Sequence, residues 1–512
     1  MQFIKILLNN LHFVSSKNTQ KQKDNHHDAP LSQQYDDVKI LSYSNAKTAI
    51  NKHSTNNNSI IDVPLLTRTA NCDRDNSNNS STTSTVVFDN SAEEAIRHQL
   101  DKITPSSDNY DTTVDENPFF IGDLGHLHRQ YLKWKSLLPR IEPFYAVKCN
   151  PDSVAIQYLA SLGMGFDCAS KMEIQQVLEL GADPDQIIYA QPVKQPSFLR
   201  YASQNNVSLM TFDNEDELYK IKEIYPNAKL VLRILVDDFD SAIPLGCKYG
   251  APLGIIDRLL QTIKGLGLDL VGVSFHVGSG CSNDNAFYHA VVRARHVFDR
   301  AETFGYQLSL LDVGGGFNDS SVVEGTTFEK VAAVLGPTVD ELFPSKDVRV
   351  IAEPGRYFVG GPAYTFCFGI IGRRVEESND HQKAYDYSLS LKQEKNDQEN
   401  YKLTYYINDG FYGTFQMPIL DQLNLNLRVL RKKDIYFYGR ELDNNEKKYP
   451  CTIWGPTCCS LDRIQYDGYL PELHVGDWLY LENFGAYTIA GASTFNGYEK
   501  PKIIHVNSYY DP

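Results

Sequence analysis

The feature that most restricts the fold is a rhythm that begins at Pro143. Short apolar runs recur as FYAVKC, GMGFDC, QIIYA, VSLMTF, KLVLRILV, LVGVSFHV, LSLLDVG and VRVIAEP. Helix-like stretches separate them, such as SVAIQYLASLG, SKMEIQQVLELG, NEDELYKIKEIYP and TFEKVAAVLGPTVDELF. The runs are apolar at successive positions, so both faces of each strand are covered, as in a parallel sheet. Eight strands alternating with seven helices predict a TIM-like (β/α)8 barrel over residues 141–361. An open doubly wound sheet is the alternative, and eight regular units favour closure.

After Gly361 the rhythm stops. AYTFCFGIIG, KLTYYIN, DIYFYG, CTIWGP and DWLYLENFGAYTI read as strands with no helices between them. Residues 362–512 are therefore expected to form a mainly β domain, interrupted by a flexible polar insertion near 375–400. At the other end, residues 1–90 are rich in Asn, Ser, Thr, Asp and Gln, as in DNSNNSSTTSTVVF. Such a stretch cannot bury enough apolar surface to offset its chain entropy, so a disordered extension is expected. AEEAIRHQLDKI predicts a helix with Ala95, Ile96, Leu100 and Ile103 on one face. PFFIGDLG reads as a strand and turn, and HLHRQYLKWKSLLPRI as an amphipathic helix ended by Pro139. Residues 91–140 are expected to contribute to the β domain.

Composition narrows the partners. The net charge is −15, from 49 Lys and Arg against 64 Asp and Glu. This argues against a nucleic-acid or anionic-membrane surface and suits a small, cationic ligand. Nine cysteines are scattered without CxxC pairs or zinc-ligand spacing, which predicts reduced thiols in a cytoplasmic protein and no bound metal. The start, MQFIKILLNNLHFVSS, has its apolar run broken by Asn9 and Asn10 and lacks a small-residue cleavage site. A secretory signal is not expected there, and no segment is long and apolar enough to span a bilayer.

In a barrel of this kind, functional residues stand at the C-terminal ends of strands. The polar residues there are Lys148, Asp167, Arg233, His276, Asp312 with Gly314, Gly315 and Gly316 behind it, and Glu353 with Arg356. Each alone has a bland explanation: a solvated lysine, a structural histidine, a glycine turn. Together they make a ring. Their types suggest a phosphate-bearing aldehyde cofactor. Lys148 stands between apolar walls that would lower its pKa and sharpen it as an amine nucleophile. The glycines allow backbone N–H groups near a phosphate, and Arg356 can add a bidentate contact. Glu353 could keep a pyridine nitrogen protonated, and the planar His276 could stack on the ring. A dinucleotide-binding reading of VGGGF is weak, because GxGxxG is not matched and no acidic partner is spaced as required.

The motifs PFYAVKCNPD, FDCASKMEI, SFHVGSG, LDVGGGF, AEPGRYFV, NDGFYG, WGPTC and GAYT with FNG closely resemble the eukaryotic ornithine decarboxylase family. Those are fold-type III enzymes using pyridoxal 5′-phosphate (PLP). The resemblance runs from about Asn117 to Val506, in order. It implies that Lys148 holds PLP covalently, with Asp167 and Arg233 beside it. It implies that His276 stacks on the ring and Glu353 pairs with its nitrogen. Ser279, Gly316, Gly355, Arg356 and Tyr487 are implied around the phosphate. Asp409 would bind the distal ammonium of ornithine, and Cys458 would return a proton to Cα. In the family these two residues reach the site from the other subunit, so a homodimer with shared sites is implied. The stretch from Gln204 to Leu230 matches the region where the family binds antizyme, which makes antizyme a candidate partner.

Cys459 departs from the pattern. The family motif reads Cys-Asp after GPT, and that aspartate is the second anion at the distal amine; here the pair is Cys458 and Cys459. The favoured activity is decarboxylation of ornithine to putrescine. The alternatives are a lysine or arginine decarboxylase of the same family and a weakly active or non-catalytic regulator of the antizyme-inhibitor kind. The ornithine-type NDG around Asp409 speaks against the first, and the retained Lys148, His276, Glu353, Arg356 and Cys458 speak against the second.

Overall fold

The computed structural model describes residues 87–88, 91–103, 115–283, 285–319, 326–377, 401–421, 423–443 and 445–508. Most of the expected polar extension, and the expected insertion from residue 378 to 400, lie outside the described residues. Four elements precede the barrel: β1 (Val87–Phe88), α1 (Ala92–Ile103), β2 (Phe119–Asp123) and α2 (Leu124–Leu137).

The barrel strands are β3 (Ile141–Ala146), β4 (Gly165–Cys168), β5 (Ile187–Tyr189), β6 (Leu209–Phe212), β7 (Lys229–Arg233), β9 (Asp269–Ser274), β11 (Leu310–Asp312) and β12 (Arg349–Ala352). All neighbours pair in parallel, and β11 joins both β9 and β12, which closes the ring. A short antiparallel pair, β8 (Ser241–Ile243) with β10 (Ser279–Cys281), stands beside it. Seven helices follow the strands where the polar–apolar pattern places them, from Ser153–Ser161 to Phe328–Leu342. Several start on the side-chain caps their sequences offer: Asp152 accepts from Val154 N, Asn214 from Glu217 N and Thr327 from Lys330 N.

Strand parity explains both the core and the site. Phe144, Ile188, Val231, Leu310 and Ile351 point inward and form one cluster inside the barrel. Their neighbours Tyr145, Ile187, Leu230, Leu232, Leu311 and Val350 point outward against the helices. Side chains alternate with a period of two along a strand, so the next inward position caps the core. Val231 is followed two positions on by Arg233, Leu310 by Asp312 and Ile351 by Glu353. The polar ring at the mouth is thus the top layer of the same inward-facing stack.

The two helices within residues 91–140 bury their apolar faces on different surfaces. On α1, Ala95, Ile96, Leu100 and Ile103 are buried together with Phe119, Ile121, Trp478 and Tyr480 of the sheet. α2 packs on the barrel instead. Trp134 is fully buried, donates Nε1–H to Ile141 O at 2.8 Å and lies among Phe317, Phe328, Tyr357 and Phe358. Gln130 and Tyr357 exchange two hydrogen bonds of 3.1 and 2.9 Å. Amphipathic spacing gave the helix but not the surface that would accept it.

The second unit of the fold is a sheet ordered β1, β20 (Lys502–Val506), β2, β13 (Tyr364–Glu377), β14 (Tyr401–Ile407), β17 (Lys448–Trp454) and β18 (Arg463–Pro471). β19 (Trp478–Leu481) pairs with β13 and with β15 (Arg428–Lys432), which also meets the short β16 (Ile435–Tyr436). Val87 and Phe88, inside the tract expected to be disordered, pair with His505 and Val506. The strand read over residues 477–489 stops at Leu481. Beyond it Tyr487 adopts φ 57° and gives its N–H to Cys149 O at 2.8 Å, so a turn anchored to the barrel replaces a ladder. No helix of the described residues is long and apolar enough to cross a membrane.

Candidate active site

Lys148 lies in a turn just past β3, its side chain 37% exposed, and its ammonium donates to Asp167, which is fully buried on β4. The expected lowering of the lysine pKa does not hold in this arrangement. Burial pushes it down, but the carboxylates of Asp167 and Glu353 outweigh burial and hold it above the ordinary value. The amine is therefore stored as a cation with a built-in proton acceptor beside it.

Glu353 follows β12, with its N–H bonded to Gly314 O at 2.7 Å. It and Asp312 face each other in the barrel mouth. Burial pushes both carboxyls up, Asp312 to about 7; the charge of Asp312 raises Glu353 further, and that of Asp167 raises both. The pair holds a proton near neutral pH. His276 accepts from Gly278 N at 3.0 Å through Nδ1, which leaves its proton on Nε2. Burial, with the charges of Arg233 and Lys148, pushes its pKa well down, so the imidazole is neutral. Arg233 lies over the Tyr249 ring at 5.2 Å, and Tyr249 accepts from Gln191 at 2.9 Å.

A glycine cradle crosses the mouth. Gly314 and Gly316 have φ +64° and +105°, and a Cβ on Gly315 would stand 2.7 Å from His276 Nε2. Only glycine allows that approach. Gly355 lies against the Lys148 turn, where a Cβ would meet Cys149 Cβ at 2.8 Å. Arg356 is buried, with its guanidinium 4.9 Å above the Tyr487 ring and 3.8 Å from Asp421. Ser279 sits on β10.

The turn carrying Lys148 is pinned by residues that local pattern did not single out. Asn150 donates to Gly485 O at 3.1 Å and accepts at its own carbonyl from Tyr145 at 2.9 Å. Asp152 takes His505 and Tyr364, each at 2.7 Å. Asp152 carried a readable N-cap signal; Tyr364 and His505 are distant in sequence and carried none.

Asp409, Cys458 and Cys459 form a second group in the β domain. The buried Asp409 carboxylate accepts from Gly410 N at 2.8 Å, Thr414 N at 3.2 Å and Thr414 Oγ1 at 2.5 Å. Burial lifts it to about 6 against those bonds. Cys459 Sγ meets Tyr412 Oη at 3.0 Å, and Cys458 is exposed. Asp462, also not singled out from sequence, joins the two loops. It accepts from Phe411 N at 2.6 Å, Thr457 N at 2.8 Å and Thr457 Oγ1 at 2.6 Å. Among the described residues, no hydrogen bond or ion pair links Asp409, Cys458 or Cys459 to the barrel-mouth ring.

Residues 124–360 match the family described as pyridoxal-dependent decarboxylase, pyridoxal binding domain. The ornithine decarboxylase of Rattus norvegicus is 45% identical over 395 residues, covering 77% of this chain and 81% of the relative. Antizyme inhibitor 2 of Xenopus laevis is 44% identical over 395 residues, covering 76% and 81%. The crystal structure of the Paramecium bursaria Chlorella virus arginine decarboxylase shares 30% identity at TM-score 0.69, covering 81% of this chain and 100% of that one. The chain belongs to the ornithine decarboxylase family of pyridoxal-dependent decarboxylases.

The barrel mouth fits the cofactor of that family. Asp167 Oδ1, Ser274 Oγ, Asp312 Oδ2 and Arg356 Nε are buried without a hydrogen-bond partner among the described residues. Buried polar atoms of this kind call for a polar ligand. The glycine cradle has no side chain to keep a phosphate from its backbone, and Arg356 adds a buried cation. The protonated carboxyl pair offers a proton that a pyridine nitrogen can share. Ser274 is a further candidate that sequence reading missed; its signal was inward parity on β9, one residue past Val273 of the outward-facing core.

Proposed function

We propose that this chain releases CO2 from L-ornithine to give putrescine, the entry step of polyamine biosynthesis. The observation that carries the reading is the convergence of Lys148, Asp167, His276 and the Asp312–Glu353 pair with a glycine cradle and Arg356 at one barrel mouth. When bound there, PLP supplies an electron sink for the charge left on Cα as CO2 departs. Lys148 is its covalent anchor, and Asp167 takes the proton the amine must lose. Glu353 holds a proton against the pyridine nitrogen, backed by Asp312. Neutral His276 covers one ring face, with Arg233 alongside. Ser279, Gly316, Gly355, Arg356 and Tyr487 receive the phosphate. Asp409 and Cys459 face the distal ammonium, and Cys458 returns a proton to Cα.

The second group is proposed to act in a neighbouring subunit's site, which makes the protein a homodimer with two shared sites. What supports this is that the loops of Asp409 and Cys458 are bound to each other through Asp462, while no hydrogen bond or ion pair ties Asp409, Cys458 or Cys459 to the barrel mouth among the described residues. The described cysteines are all free, which fits a cytoplasmic setting. Antizyme is a proposed partner through residues 204–230.

One observation favours a second reading, a regulator of the antizyme-inhibitor kind: Cys459 replaces a distal-site anion. The deciding experiment measures CO2 from carboxyl-labelled ornithine, lysine and arginine by purified protein with added PLP. Ornithine should give the highest kcat/KM. A higher value for lysine or arginine overturns the substrate assignment, and PLP binding without CO2 from any of them supports the regulator.

A further inference from the structure

Cys458 and Cys459 are more than a catalytic residue and a substitution. Eight cysteines are described, and Cys149, Cys168, Cys281, Cys367 and Cys451 are buried. Burial also pushes the thiols of Cys149 and Cys451 up, to about 12 and about 11, so those two are held protonated as well as inaccessible. Cys247 is exposed but isolated in sequence. That leaves Cys458, exposed, and Cys459, half-buried, as the reachable neighbours. Their Cα atoms are separated by one peptide unit, about 3.8 Å. They lie in a segment that is neither helix nor strand, so no ladder forces the two side chains to opposite faces. The backbone is held at both positions, Cys458 N donating to Asn496 Oδ1 at 3.3 Å and Cys459 N to Thr457 Oγ1 at 3.4 Å, while Cys459 Sγ meets only the Tyr412 hydroxyl, at 3.0 Å.

We propose that Cys458 and Cys459 form a chelating dithiol site for trivalent arsenic, as arsenous acid or an organoarsenous acid. Each thiol displaces one hydroxyl group from arsenic. Two As–S bonds form, two As–O bonds break, and the two thiol protons leave with the hydroxyls as two waters. Arsenic stays trivalent, so no oxidant or reductant is needed. A direct disulfide between adjacent cysteines is strained by its dihedral preference, which keeps the pair as dithiol. An arsenic bridge adds one atom to the ring and relieves that strain. Beside Cys459 the rings of Tyr412 and Phe495 lie 4.4 Å apart and offer an apolar wall to an aryl substituent, so phenylarsine oxide should bind more tightly than arsenite. In the proposed dimer this turn lines the substrate cleft, which a molecule of substrate size can enter. Loss of activity on binding rests on the reading of Cys458 as the proton donor; the binding itself does not.

The test uses PLP-loaded protein and phenylarsine oxide, read by intact-protein mass and by a count of free thiols. One adduct per chain is expected, with two thiols consumed, reversed by 2,3-dimercaptopropanol but not by equal thiol equivalents of 2-mercaptoethanol. Cys459→Ser and Cys458→Ser should each weaken binding by about 100-fold or more, the loss expected when a two-point attachment becomes one-point. Cys247→Ser should bind as the wild type does. An adduct that persists at wild-type affinity in Cys459→Ser, or that 2-mercaptoethanol reverses, overturns the site. An adduct with the expected stoichiometry and undiminished decarboxylation upholds the site and instead removes Cys458 from the proposed chemistry.

Discussion

Replacing Cys459 by aspartate should improve ornithine use, and the structure sets the size of the gain. The anion proposed to face the distal ammonium, Asp409, is committed to its own loop by three hydrogen bonds, from Gly410 N, Thr414 N and Thr414 Oγ1. Each of those donors draws on the charge a substrate ammonium would use. Cys459 adds a dipole there, already engaged with Tyr412 Oη at 3.0 Å. An aspartate would add a full charge, and Tyr412 would remain as its hydrogen-bond donor. Two unit charges about 4 Å apart attract by roughly 1 kcal/mol in water and 4 kcal/mol at a protein surface. Less desolvation, the gain is about 1–3 kcal/mol, or about a 5- to 150-fold fall in KM for ornithine. The distal end takes no part in bond breaking, so kcat should change less than kcat/KM. Steady-state kinetics at saturating PLP read both values. Cys459→Ser is the control: it keeps a hydrogen-bonding group without charge and should leave KM near wild type. Unchanged ornithine kinetics in Cys459→Asp would refute the charge argument. So would a wild type that prefers another amino acid and a mutant that loses that preference, which would make Cys459 a specificity residue.

Glu353→Gln should lower kcat by about 100-fold or more while PLP stays bound, because the amide cannot hold the pyridine proton; near-normal kcat counts against that role. Mixing Lys148→Ala with Cys458→Ala protein should recover part of the activity, since some heterodimers would carry one intact site; no recovery after verified subunit exchange argues against shared sites. Asp409, lifted to about 6 by burial, must be ionised to attract an ammonium, so KM for ornithine should rise as pH falls through about 6. The same shift has the opposite sign for stability. The folded state binds the Asp409 proton more tightly than the unfolded state, whose value is about 4, so this contribution is present below about pH 4 and lost as pH rises to about 6. Asp409→Asn should flatten both profiles, read by kinetics and by thermal melts across that window.

The barrel was legible because its signal is local and repeated. Eight doubly covered strands need helices on the outside, and inward parity carries Val231 to Arg233, Leu310 to Asp312 and Ile351 to Glu353. Lys148, Asp167, His276 and the glycines could be named from the sequence for the same reason: each ends an apolar run. The direction of the Lys148 pKa could not, because apolar flanks are visible in the chain but the opposing charges of Asp167 and Glu353 arrive from other strands. Amphipathic spacing found α2 without showing that Trp134 belongs to the barrel. Tyr487 could be named only through the family resemblance; its backbone conformation follows from a bond to Cys149 O, far away in the chain. Asp462, His505 and Tyr364 had no local mark at all, since a hydrogen bond between distant residues imposes no spacing on either. The sequence by itself determined which residue types line the mouth, because strand period and burial act within a few residues. Only the tertiary structure decided their protonation and their support, because electrostatics and side-chain hydrogen bonds depend on distance in space.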